Sequence, residues 1–395
     1  MGELRGEDRE AIRGFVSQEL RAAEEAFLQG RYEEALALVE EAREEVRRRG
    51  WWLPQISEEH GGWGLSLEDF STVAEELGRS PVGHLAFHCQ APDAGNMELL
   101  EEFATDLQKE RFLAPLLAGE VRSCFAMTEP GRPGSNPTWM ETKAERRGEQ
   151  WVLNGRKWFS TAADGAAFAI VMAVTNEEGP KHRRASMFLV PMDTPGMELE
   201  NLRVMGERGL GPMSHAEVSF EECVVGGDAL LGEEGQGFVM AQHRLGPGRI
   251  HHCMRWIGIC ERALSLMCER ATSRALTPTR QLADEGVIQG WIGESRIEID
   301  AARAFVRETA KKMEVQGAPA TRQEISAIKV FVAGVLQRVL DRAVQVYGAA
   351  GLTDQTPLAY WYSHERGARI YDGPDEVHRR VIARAELAKY AEGRG

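Results

Sequence analysis

The chain has 395 residues, more than a single hydrophobic core usually serves, so two or three domains are expected. Its 43% apolar and 27% charged residues are those of a globular protein without an apolar run of membrane-spanning length. A net charge of −14 argues against a protein whose main work is wrapping nucleic acid, which rests on Lys and Arg contacts to phosphate.

The start, MGELRGEDRE, is acidic and polar where an export signal needs a basic start and an apolar stretch, so a cytoplasmic location is expected. Ile12, Phe15, Val16 and Leu20, then Ala35, Leu36, Leu38 and Val39, recur at helical spacing. A Gly- and Trp-rich break, GWWLPQISEEHGGWGLS, separates them from the helical patterns LEDFSTVAEELG and DLQKERFLAPLLAGE. Residues 1–120 are therefore expected to form an all-helical N-terminal domain.

From about residue 121 the texture changes to short alternating segments rich in Val, Phe, Met and Thr, among them ETKAERRGEQWVLNGRKWFST, FAIVMAVT, ASMFLVPM and HAEVSFEECVV. These predict a middle domain over 121–232, an antiparallel β-barrel. Helical patterns then return from Val239 to Arg274, Val287 to Gln316 and Arg322 to Val346, with a last helix after PDEVHRRVIARAELAKY. Residues 233–395 thus read as a C-terminal four-helix bundle, and the chain as an α+β multidomain protein.

Two segments of the middle domain carry chemistry. In FAMTEPGRPGSNPT a strand runs into a Gly/Pro loop that frees backbone N–H groups and the hydroxyls of Thr128 and Ser135, which suits a polar ring edge or a phosphate. An ordinary strand-to-loop turn has the same composition. In NGRKWFST, Trp158 and Phe159 stand beside the hydroxyls of Ser160 and Thr161, as a flat heterocycle or simply a β core would require. The six cysteines contain no CxxC pair, and the adjacent His251, His252 and Cys253 point to different helix faces, so no metal site is expected.

In this order, from about residue 50 to residue 388, these segments resemble the acyl-CoA dehydrogenase family. LPQISEEHGGWGLS is similar to the turn before that family's second helix, FAMTEPGRPGS to its flavin-contacting strand, and GRKWFST to the segment facing the flavin edge, with Phe159 in place of the usual Trp. The resemblance implies that FAD is the cofactor, that Phe125, Met127 and Thr128 bond its isoalloxazine ring, that Ser135 serves cofactor and substrate, and that Phe159, Ser160 and Thr161 flank the ring, Thr161 at N5. It also implies that Arg274, with Gln345, Gly348 and Ala349 of QVYGAAG, meets the FAD diphosphate of a neighbouring subunit in a homodimer or homotetramer, although the Phe-Gly that usually follows this Arg is absent from RALTP. Arg249 of LGPGR carries over as support for the active site.

The segment ARIYDGPDEVHRRVIAR resembles the family's Tyr-Glu-Gly-Thr-x-Gln-Ile-x-Arg, with Asp372 where the glutamate base stands. By that resemblance Asp372 takes the α-proton of an acyl-CoA while a hydride leaves the β-carbon for the flavin. Gly373 lets the backbone pass close to the thioester, and Glu376, with Pro374, stands where FAD-contacting residues are usual. Burial against flavin and acyl chain should raise the Asp372 carboxyl toward neutrality, with Arg249 opposing. Aspartate is one methylene shorter than glutamate, roughly 1.5 Å of reach, so backbone or substrate must sit closer. Asp375, at the start of the last helix, is expected to cap it.

YDGPDEVH, CQAPDAGNME and RLGPGRIHHCMR are most similar to the branch that in animals is fused to a kinase-like domain and is implicated in longer or 4-hydroxylated acyl-CoAs. Gln90 and Asp93 could then meet a hydroxyl on the chain or simply satisfy backbone groups. The expected acceptor is an electron-transferring flavoprotein. The alternatives are a flavin oxidase of the same fold, of the acyl-CoA oxidase or nitroalkane oxidase kind, and a non-catalytic acyl-CoA or flavin-binding scaffold.

Overall fold

Alternating apolar residues between about 121 and 232 fold as strands because every second side chain reaches one face. They are β1 (Ser123–Ala126), β2 (Lys143–Arg147), β3 (Gln150–Thr161), β4 (Phe168–Val174), β5 (Ala185–Pro191), β6 (Met197–Asn201), β7 (His215–Gly226) and β8 (Leu230–Leu231). The computed structural model describes residues 2–206 and 209–391. Two compact units divide it, Gln90–Pro247 and Met1–Cys89 with Gly248–Gly395.

In the first unit the strands pair in the order β6-β7-β3-β2-β4-β5-β8, with β1 added on β4. Phe168 to Ala173 and Ala185 to Val190 are buried along their whole length, so β4 and β5 are central. Trp151, Leu153, Val171, Phe188, Val218 and Phe220 fill the core. The expected antiparallel barrel is corrected in two respects. The ladder is open among the described residues, and β1 and β2 each pair with β4 in parallel. At one end β8 offers only two residues, and at the other β6 alternates Glu with Leu199 along an exposed edge, so neither end presents the long apolar strand that closure requires.

The helix Asp93–Phe103 is fastened to β1 within this unit. The fully buried Asp93 accepts from the Ser123 N–H at 2.8 Å and from its hydroxyl at 2.6 Å, and Asn96 donates to the same hydroxyl at 2.9 Å. Arg244 donates to Asn96 at 3.0 Å and lies 4.2 Å above the Phe125 ring.

The second unit is helical. Its longest members are Tyr32–Arg48, Gly286–Ala320, Arg322–Tyr347, Asp375–Ala391 and the part of Gly237–Ser273 that follows Pro247. Gly317, with φ of 77°, leaves the helical region where the predicted helix ends, and Arg322 begins the next. Ser66 caps Leu67–Leu77 by accepting from the Asp69 N–H at 3.0 Å. Phe15, Phe70, Trp256 and Trp361 are buried to 1% exposure or less. Arg296 and Arg303 share Glu261, and Arg303 reaches Glu75 at 2.9 Å, tying three helices together. Among the described residues no helix is long and apolar enough to cross a membrane.

Candidate active site

Asp372 sits in a turn that few residues adopt. Its φ is 53° and that of Gly373 is 97°, both in the left-handed region that disfavours a Cβ. Two donors hold the Asp372 carbonyl in this geometry, Arg249 Nε at 2.9 Å and His378 Nε2 at 3.1 Å. Burial, reinforced by the Arg249 and Lys329 charges, pushes His378 down to about 4, so its ring is neutral at pH 7. To donate to a carbonyl it must carry its proton on Nε2, which leaves Nδ1 to accept from Ser326 at 3.1 Å. Lys329 Nζ donates to the Gly373 carbonyl at 2.7 Å and is itself pushed down to about 8 by burial, with Asp375 and Asp372 opposing.

The Asp372 carboxylate is about a fifth exposed, 19%, and lies 3.3 Å from His252 Nε2. Burial lowers the Arg249 guanidinium from its ordinary range, and the Asp372 charge opposes that shift. A partly accessible carboxylate held at its own backbone and flanked by cations can receive a proton from a bound molecule. Tyr371 is set from behind: the fully buried Glu365 accepts from Arg255 at 2.6 and 2.8 Å and from Trp256 Nε1 at 3.0 Å, and Arg255 reaches the Tyr371 hydroxyl at 3.4 Å.

Gly373 leaves no room for a side chain, since a Cβ there would stand 2.9 Å from His378 Nε2. Gly373→Ala is expected to lower the melting temperature, by strain of about 1–3 kcal/mol, and to slow turnover together with it. Paired melting and rate measurements check this. A variant with unchanged rate would show that the turn does not have to hold this shape.

In the β unit the predicted cofactor segments come together by strand pairing. Trp158 N–H donates to the Thr128 carbonyl at 3.0 Å, and the Thr128 hydroxyl donates to the Trp158 carbonyl at 2.8 Å. The β3–β7 register shifts between Lys157 and Ser160, and within that shift Phe159 takes φ of 51° and stays 46% exposed. Such a bulge re-aims a side chain away from the alternating pattern. Ser160 Oγ is buried without a partner among the described residues, and the Thr161 hydroxyl meets His215 Nδ1 at 3.0 Å. An outward aromatic beside an orphaned hydroxyl and a placed one fits a flat heterocycle with a polar edge, as FAD carries. Phe125 and Met127 are half-buried on and just after β1, and Ser135 is exposed in the following loop.

The other predicted residues are placed as follows within their own units. Arg274 is exposed just beyond the helix Gly237–Ser273 and before a two-stranded hairpin, β9 (Ala275–Thr277) and β10 (Arg280–Gln281), that was not anticipated. Gln345, Gly348 and Ala349 are exposed at the end of Arg322–Tyr347, where Gly348 has φ of 64°. Glu376 is exposed in the first turn of the last helix, 3.7 Å from Arg379. Asp375 begins that helix, but its buried carboxylate accepts from Arg369 at 2.7 Å and lies 4.0 Å from Lys329. In the β unit the Gln90 Oε1 is buried without a partner among the described residues, whereas Asp93 is committed to Ser123.

Sequence reasoning passed over Lys157, Glu129, His215, Lys329 and His378, and it weighed His252 only as a metal ligand. Lys157, fully buried, donates to Glu129 at 2.8 Å and to the Met127 carbonyl at 2.9 Å, so an ion pair underlies the Phe125–Thr128 segment. The one available signal was a Lys in mid-strand directly before Trp158 and Phe159. His251 packs edge-on against Phe70 at 5.0 Å, and burial raises the Cys253 and Cys260 thiols well above the usual range.

The chain is similar to known proteins along most of its length. Models of the N-terminal, middle and C-terminal domains of acyl-CoA dehydrogenase match residues 6–120, 124–223 and 235–387. FadE2 of Mycobacterium tuberculosis, named as an acyl-CoA dehydrogenase, is 44% identical over 356 residues, 89% of this chain and 86% of that protein. Acyl-CoA dehydrogenase family member 11 of Pongo abelii is 41% identical over 90% of this chain, which spans only 46% of that longer relative. A solved acyl-CoA dehydrogenase structure from Mycobacterium abscessus superposes with a TM-score of 0.92 at 37% identity, covering 99% of this chain and 100% of that one. The chain therefore belongs to the acyl-CoA dehydrogenase family, an oxidoreductase fold that works with FAD.

Proposed function

We propose that this enzyme converts an acyl-CoA thioester to the trans-2-enoyl-CoA, with Asp372 as the base. The observation that carries the reading is the Asp372 turn, where a carboxylate remains partly accessible while Arg249 and His378 fix its backbone carbonyl. FAD, when bound, supplies the acceptor for the hydride that leaves the β-carbon. Asp372 takes the α-proton, so the substrate loses one proton and one hydride and gains one double bond. Arg249 and Gly373 shape the substrate side of the turn, Arg249 by holding the Asp372 carbonyl and Gly373 by keeping the backbone bare.

In the β unit we assign Phe125, Met127, Thr128, Phe159, Ser160 and Thr161 to the flavin ring, supported by the exposed Phe159 and the orphaned Ser160 hydroxyl. Ser135 serves the cofactor and the CoA side. Arg274, Gln345, Gly348 and Ala349 are assigned to the FAD diphosphate of a second copy in a homodimer or homotetramer, a reading supported by their exposure. Glu376 is a further FAD contact. The electron acceptor is an electron-transferring flavoprotein, and the compartment is the cytoplasm. A 4-hydroxyl on the acyl chain would find an acceptor in Gln90 Oε1.

The test is anaerobic addition of acyl-CoA thioesters, varied in length and 4-hydroxylation, to the purified FAD-loaded protein. The flavin absorbance should bleach with some of them, and in air hydrogen peroxide should form far more slowly than substrate is consumed with the flavoprotein acceptor. Peroxide formed as fast as substrate disappears would make the protein an oxidase. No bleaching by any thioester would remove the dehydrogenase reading.

A further inference from the structure

We propose that a cleft in the helical unit, lined by Arg9, Arg13, Arg79, Arg303 and Arg307 with Glu75 and Glu261, binds a phosphate group in its doubly charged form, as inorganic phosphate or as the monoester of a small molecule. Its volume is about 380 Å³, at the small end of the range for small-molecule sites. Two helices each present arginines four positions apart, hence on one face: Arg9 and Arg13 on Gly6–Gly14, Arg303 and Arg307 on Gly286–Ala320. Arg79 follows Leu67–Leu77, the helix that carries Glu75 and Glu76, and Glu261 lies in the part of Gly237–Ser273 beyond Pro247.

The carboxylates here are already shared out. Glu76 accepts from Arg9 at 2.8 Å and from Arg13 at 2.7 and 3.0 Å. Glu75 accepts twice from Arg303 at 2.9 Å, and Glu261 accepts from Arg303 and Arg296. Arg307 has a 3.8 Å ion pair with Glu75 and a 3.4 Å bond to the Thr72 hydroxyl. Arg79 has no ion-pair partner among the described residues, and its bond to the Ser265 hydroxyl is long, 3.4 Å. Burial lowers its guanidinium from the ordinary range, with Glu76 and Glu261 opposing. An arginine carries five N–H donors in a fixed fork, so most of those on Arg79 are left for something other than protein.

Five guanidiniums thus meet three carboxylates, with Arg296 and Asp300 cancelling each other beside them. The surplus is two positive charges in one cleft of a chain whose net charge is −14. A phosphate monoester brings three oxygens and up to two negative charges, and guanidinium forks match such oxygens pairwise. A carboxylate brings one charge and would leave one surplus cation unmet. The floor of the cleft is also set in advance. Gly78 and Gly258 let two helices touch, since a Cβ on the first would run into the Arg255 backbone and a Cβ on the second into that of Glu75. Arg79 is therefore held one residue past a close contact, and a donor placed beforehand costs little ordering when an anion binds.

In the FAD-loaded protein, binding of inorganic phosphate, AMP, sulfate and acetate is measured by calorimetry at constant ionic strength, beside thermal melting. Phosphate, AMP and sulfate should bind and raise the melting temperature, and acetate should do neither. From about pH 5 to about pH 7 the affinity for AMP should rise about tenfold, because the monoester takes its second charge at about pH 6, whereas sulfate, doubly charged throughout, should hold level. Arg79→Gln, which keeps a donor for Ser265, and Arg307→Gln should each weaken the three anions by about tenfold to a hundredfold. Retained FAD shows that each variant is folded. AMP held more tightly than inorganic phosphate assigns the cleft to a monoester, and equal affinities assign it to free phosphate. The proposal is overturned if none of the three anions binds, if acetate binds as well as phosphate, if AMP affinity stays level across this pH range, or if either folded variant keeps the parent's affinity.

Discussion

Asp372→Asn is expected to retain FAD and acyl-CoA binding while flavin reduction falls by about a thousandfold or more, the scale on which a positioned general base acts. Asparagine has nearly the same shape and cannot take a proton at pH 7. The scaffold around it should survive, because Arg249 and His378 donate to the residue's backbone carbonyl, which the substitution leaves in place. Stopped-flow reduction under anaerobic conditions, with affinity measured separately, distinguishes lost chemistry from lost binding. If reduction remains near the parent rate, Asp372 leaves the mechanism and Glu376 is the next carboxylate to test. Its exposure in the first turn of the last helix makes it the weaker candidate.

Glu129→Ala should be the most destabilising single change considered, about 3–5 kcal/mol, because it strands the ammonium of Lys157 inside the β unit. Both side chains are almost wholly buried, 0% exposed for Lys157 and 3% for Glu129, and Glu129 also accepts from the backbone of Glu141 at 2.6 Å and of Thr142 at 2.9 Å. Lys157 holds the Met127 carbonyl, so Phe125–Thr128 should loosen and the flavin should separate from the protein on gel filtration.

The sign of the pH dependence follows from burial, which already pushes Lys157 down to about 8 even with Glu129 opposing. Without Glu129 the folded state holds this proton less tightly still, so below pH 8 the unfolded chain binds more protons and stability rises with pH. The melting gap between the parent and Glu129→Ala should therefore narrow as pH rises toward 8. Adding Lys157→Met to Glu129→Ala should recover part of the loss, since no charge is then left unpaired. A single variant that melts with the parent at neutral pH would mean that the pair is not what holds this strand.

The sequence by itself determined what is local. Period-two runs such as FAIVMAV became β4, and helical spacing from Arg322 to Val346 became a helix that ends one residue later at Tyr347. FAMTE, WFST and YDG marked, by their resemblance to the family, the segments proposed here to carry cofactor and base chemistry. The tertiary structure decided who stands beside whom. His252 reaches Asp372 across 120 positions of sequence, Lys329 reaches Gly373 across 44, and Glu129 meets Lys157 across 28, and no periodicity encodes such pairings. It also decided that the sheet stays open and that a bulge turns Phe159 outward, where strict alternation would not put it. A local pattern sets which face of an element is apolar, but the partner across that face is selected only when register, helix crossings and the cost of burying each unpaired charge are met together.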